Sequence, residues 1–134
     1  MTRAEELVKR IVTEFKARGY EVNAKLAIDH FTGETVVCWY ELYREDRERE
    51  LRIAETYRHN GTSENVTAKV IVWERVVTSQ GGSYPRAKLY ETKIPYEASK
   101  RVINNRIDKA LEKFIYSEPT PVNMDEIYNL CGWS

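Results

Sequence analysis

The residues most able to do chemistry lie late in the chain. Glu91-Thr92-Lys93 follows apolar Leu89 on a run that alternates like a strand. A Glu-x-Lys on a strand is the core of a large class of metal-dependent nucleases, where the carboxylate holds Mg²⁺ and the lysine orients the attacking water. That chemistry also needs an Asp on the strand before. No Asp occurs between Asp46 and Asp108, so Glu74 would have to stand in. Other constellations are thinner. Glu45, Asp46, Glu48 and Glu50 form the densest acidic group, but Arg44, Arg47 and Arg49 are interleaved with them, as on a solvated hairpin tip. Asp29-His30 could pair as acid and base, yet no Ser or Cys nucleophile has a supporting motif. His30, His59, Cys38 and Cys131 make no recognisable zinc spacing. Gln80-Gly81-Gly82-Ser83 lacks the following lysine and helix of a phosphate loop. The expectation is therefore no catalytic residue, no metal and no cofactor.

The elements that would position these residues are easier to read. Thr2 and Glu5 can form a capping box. Ala4, Leu7, Val8, Ile11, Val12 and Phe15 then recur at helical spacing up to Gly19, which predicts a helix over 2–18. The period changes to two at residue 21. Alternation predicts strands over 21–30, 35–44, 50–58, 65–78 and 85–94, separated by turn clusters. Pro95 stands before a second amphipathic stretch, read as a helix over 96–116. Pro119 and Pro121 break the chain, and Asn123 and Glu126 can cap a last helix over 124–130. Short connections favour an antiparallel meander. The fold expected is thus α+β in two layers: an N-terminal helix, about five antiparallel strands, a long C-terminal helix and a short terminal one. Residues 1–134 form one domain, with 118–134 as a docking tail.

Two amphipathic helices need one apolar sheet face to cover. Val22, Ala24, Leu26, Ile28, Val36, Cys38, Tyr40, Leu42, Leu51 and Ile53 are the candidate, joined by Val66, Ala68, Val70 and Val72. The opposite face then carries Trp39, Tyr43, Arg52, Arg58, Lys69, Trp73, Arg75, Lys88 and Tyr90, with Lys25 and Arg86 beside them. Rings interleaved with cations can stack on bases and meet phosphates. The same residue types also suit ordinary sheet packing or a protein interface.

Composition bounds the rest. Lys plus Arg and Asp plus Glu both number 21, so the formal net charge is zero and a globally basic nucleic-acid binder is not indicated. The longest apolar run, Val36 to Tyr40, is too short to span a bilayer, and the first residues carry no apolar segment of signal-peptide length. Two thiols without a disulfide framework fit a cytoplasmic protein. The reading is a non-catalytic binding protein acting through the aromatic and basic face, with a protein partner, a homodimer included, and no membrane. Viral and mobile-element proteins that sequester or block a host component are often of this kind. The alternatives are nucleotide or single-stranded nucleic-acid binding on that face, and a nuclease using Glu91 and Lys93.

Overall fold

The computed structural model describes residues 2–55 and 66–116. Its order is α1 (Arg3–Ala17), β1 (Asn23–Ile28), β2 (Thr35–Tyr43), β3 (Arg49–Glu55), β4 (Thr67–Val77), β5 (Ser83–Pro95) and α2 (Lys100–Tyr116). The strands form one antiparallel sheet in sequence order, β1-β2-β3-β4-β5. The α+β meander expected from the sequence is the fold observed. The expected helix over 124–130 and docking tail over 118–134 lie outside the described residues, as does Arg58.

Local chemistry explains where the elements begin. The Thr2 hydroxyl accepts a hydrogen bond from the Glu5 backbone N–H at 3.1 Å, satisfying one orphan donor of the first turn of α1. Gly19, at φ 88°, takes the left-handed conformation after the helix. At the second helix the structure departs from expectation. Pro95 closes β5, and Ser99 caps α2 through its hydroxyl, which accepts from Val102 N–H at 3.2 Å. A proline lacks the N–H and has its φ fixed at about −65°, both of which suit the end of an edge strand as well as the first turn of a helix.

Both helices lie on one side of the sheet. Leu7, Ile11 and Phe15 of α1 and Ile103, Ile107 and Phe114 of α2 pack with Leu51, Ile53, Val70, Val72 and Ile94 in a single core. Each of these side chains, once buried, contributes roughly 1.5–3 kcal/mol. One buried polar residue of this face, Thr92, accepts from the Arg106 guanidinium of α2 at 2.9 Å. The helices are also tied to each other. Arg18 reaches Asn104 at 2.9 Å and Asp108 at 3.0 Å, while Arg10 donates to the Ala98 carbonyl at 2.9 Å.

The helical layer covers less of the sheet than alternation implies. It rests on β3, β4 and β5. Every residue of β1 is exposed, and so is the first half of β2. Ala24, Leu26, Ile28, Val36 and Cys38, expected in the core, are therefore exposed. Only Val22 and Tyr40 of that segment reach the core margin, and Leu42 is buried. The physical reason is width. Strands stand about 4.8 Å apart and packed helices 8–10 Å, so two helices cover about four strands.

Candidate functional site: the uncovered sheet face

The face away from the helices is set by register. Glu41, Arg52, Ile71 and Glu91 lie in one row across β2 to β5. Tyr43, Glu50, Trp73 and Lys88 form the next. Lys69 stands opposite Lys93, and Lys25 opposite Trp39. Trp39, Tyr43, Arg52, Lys69, Trp73, Arg75 and Lys88 thus share the face that the sequence assigns to them.

Tyr90 does not. It pairs with Val72 on the helix side and packs at the core margin. The cause is a β-bulge: Trp73 pairs with Lys88 while Val72 pairs with Tyr90, so Leu89 is an extra residue and reverses the phase. A second extra residue, Arg86, turns to the helix side, where it meets buried Glu74 at 3.1 Å. Cys38 is a third. Lys25 pairs with Trp39 but Leu26 pairs with Val37, so Val37 moves to the helix side and Val36 to the other.

The rings on the face carry cations. The Arg52 guanidinium lies 4.5 Å from the Trp39 ring centroid, Arg75 5.6 Å from Tyr43 and the Lys88 ammonium 5.6 Å from Trp73. Such contacts contribute about 0.5–2 kcal/mol each, more when desolvated. The Trp39 indole N–H donates to Glu41 Oε2 at 2.7 Å.

Those cations are already matched to carboxylates. Glu50 is fully buried between Arg52 and Arg75, accepting from Arg52 Nε and from Arg75 Nη1 at 2.6 Å. Arg75 donates further to Ser83 Oγ at 3.1 Å and to the Ser83 carbonyl at 3.0 Å. Glu91 takes Lys88 at 2.8 Å and Lys69 at 3.3 Å. Hydrogen bonds from Lys88 and then Lys69 hold the Glu91 carboxyl below its ordinary value of 4.5. Burial, followed by the charges of Glu50 and Glu41, raises the Tyr43 phenol above 10.0, so it stays neutral at neutral pH.

Glu50 is the residue that sequence reasoning misses. Its neighbours in the chain suggest a solvated acidic tip, and the tip does exist: Arg44 binds Asp46 at 2.6 Å and lies 3.7 Å from Glu48. Arg49 and Glu50, however, are buried. Glu50 lies two residues before Arg52, on the same side of β3, and that spacing is the available signal.

The geometry also bears on the nuclease alternative. Glu91 points to the uncovered face, whereas Glu74 pairs with Arg49 and Ala87 on the helix side. The two carboxylates are separated by the sheet and cannot share a cation. Among the described residues no group of three His, Cys, Asp or Glu side chains could hold a metal ion. On the helix side, an open trough of about 580 Å³ lies between α1 and β2, lined by Val8, Lys9, Val37, Tyr40 and Ile53 among others. No described helix is long and apolar enough to cross a membrane. No family model matches the chain, and no curated protein or solved structure matches it significantly.

Proposed function

We propose that the chain is a non-catalytic binding protein that docks a protein partner on the uncovered sheet face. The observation that carries this reading is the pairing of the face's own charges. Arg52 and Arg75 are tied to Glu50, and Lys69 and Lys88 to Glu91. A phosphate would have to displace a carboxylate from each of these four cations, and Glu50 cannot turn into water to compensate. A protein surface has no such need. It can lie flat on rings held rigid by stacked guanidinium groups, which suits the aromatic and arginine anchors of interfaces. The partner that fits is apolar at its centre with carboxylates at its rim, because Lys25 on β1 and Lys93 on β5 add positive charge at the two opposite edges of the face.

Nucleic-acid binding remains the second reading, since six cations on the face (Lys25, Arg52, Lys69, Arg75, Lys88, Lys93) stand against three carboxylates, Glu41, Glu50 and Glu91. Ionic strength separates the two. Phosphate contacts release counterions, so affinity for a single-stranded oligonucleotide should collapse between about 50 and 200 mM salt. The test is titration of an oligothymidylate into wild type and Trp73→Ala at both salts, beside affinity capture with the same two proteins. A captured protein that binds wild type directly, and that Trp73→Ala and Lys88→Glu each lose while remaining folded, supports the proposal. Salt-steep oligonucleotide binding that Trp73→Ala abolishes would replace it with the second reading.

A further inference from the structure

The sheet has two edges, and they are built differently. The β5 edge is guarded: it holds Pro85, Lys88 and Lys93, and bulges at Arg86 and Leu89 interrupt its ladder. Prolines, lysines and bulges are the devices that stop an edge strand from pairing with another chain. The β1 edge has almost none of them. Asn-Ala-Lys-Leu-Ala-Ile contains no proline and one lysine, and the bulge of its hairpin lies on β2. All six of its residues are exposed.

The side chains around this edge are those of an interface. Leu26 is 56% exposed, Ile28 64%, Phe31 100%, Val36 41% and Val37 47%. Leu26, Ile28 and Val37 lie on the helix side of the sheet and Val36 on the other, so apolar side chains flank this edge on both faces.

We infer that the occupant of this edge is a second copy of the chain, its β1 pairing antiparallel with β1 across a two-fold axis at Ala27. This register is self-complementary. Leu26 of each copy faces the partner's Ile28, and the partner's Asp29 faces Lys25, the one residue that would otherwise guard the edge. The smallest side chain available, Ala27, sits on the axis. The two sheets join into one of ten strands, and the two uncovered faces become continuous. A single pair of six-residue strands is a small interface of the weak, transient class, for which a micromolar dissociation constant is expected.

Sedimentation equilibrium of the full chain tests this. At about 100 μM, where a complex of micromolar dissociation constant is largely formed, the mass should be twice that of the chain, and it should fall towards the monomer on dilution. Leu26→Lys with Ile28→Lys should give a folded monomer, because both side chains already lie in water. In a chain with Cys38 and Cys131 changed to Ser, Ala27→Cys should oxidise to a covalent dimer and Tyr84→Cys on the β5 edge should not. A chain monomeric at about 100 μM overturns the inference. So does a dimer that survives both lysines, or one that Tyr84→Cys links and Ala27→Cys does not. None of these results bears on the partner of the uncovered face, which Trp73→Ala and Lys88→Glu report.

Discussion

Replacing Glu50 with alanine should unfold the protein more readily than any other single change on the uncovered face. The carboxylate is fully buried and is the counter-charge of two guanidinium groups. Removing one partner of a buried pair costs about 3–5 kcal/mol, because the other charge is left uncompensated. The two arginines do not suffer equally. Arg52 has a third of its side chain in solvent and can keep its stack on Trp39, so its share is small. Arg75 is only 11% exposed and is left with Ser83 and the Tyr43 ring, neither of which carries a counter-charge at neutral pH. The expected loss is therefore near the lower end, about 3 kcal/mol. In a domain of this length that lowers the melting temperature by roughly 10 °C. Urea unfolding followed by tryptophan fluorescence measures it, with Glu48→Ala at the solvated tip as the control that should cost under about 0.5 kcal/mol. Glu50→Ala combined with Arg75→Ala should fall short of the sum of the single losses by about 2 kcal/mol. A Glu50→Ala loss under about 1 kcal/mol, or strict additivity in the double variant, would refute the claim that Glu50 anchors this face.

Burial and charge each give a further expected outcome. Ile107→Ala, at a fully buried position on the sheet-facing side of α2, should cost about 2–5 kcal/mol, whereas Ile28→Ala should change stability by under about 0.5 kcal/mol in dilute solution; comparable costs in urea unfolding would mean that the helical layer reaches β1 after all. Asp46 is held below its ordinary 3.8 by hydrogen bonding to Arg44, and Glu91 below 4.5 by Lys88 and Lys69. Both carboxyls bind protons more weakly when folded, so their contribution is complete above those ordinary values and is lost as pH falls through the lower folded ones. Glu91→Gln should make the acid decline in stability shallower, and an unchanged slope would show that the lysine contacts carry no linkage.

Alternation and periodicity disclose the elements because they report one local fact, which side of the backbone meets water. The capped repeat from Thr2 to Phe15 has only one reading. What alternation cannot report is an inserted residue. Cys38, Arg86 and Leu89 are ordinary in type, yet each reverses the phase of its strand at that point, which is why spacing alone puts Tyr90 on the wrong face while it puts Lys88 on the right one. Nor does it report how far a covering layer extends. Leu26 and Ile28 alternate as regularly as Leu51 and Ile53, but only the latter lie beneath a helix. Most of the aromatic and basic face is legible for the complementary reason: β3 and β4 pair without a bulge from Arg49 opposite Glu74 to Glu55 opposite Ala68, so phase read at any one of these residues holds for the rest.

The tie between α1 and α2 has a kinetic consequence. Each hairpin of the sheet joins neighbours in sequence, so its loops close early and at little entropic cost. Contacts such as Arg10 with Ala98 and Arg18 with Asp108 span 88 and 90 residues. Contacts of such separation carry the largest loop-closure cost in the fold, and on that ground docking of α1 is expected to be a late step in folding. Until then the β3 and β4 side chains that α1 covers, Leu51 and Val70 among them, face water. The same order run backwards makes undocking of α1 the first opening on the unfolding path, so amide protons of α1 should exchange before those of β3 and β4.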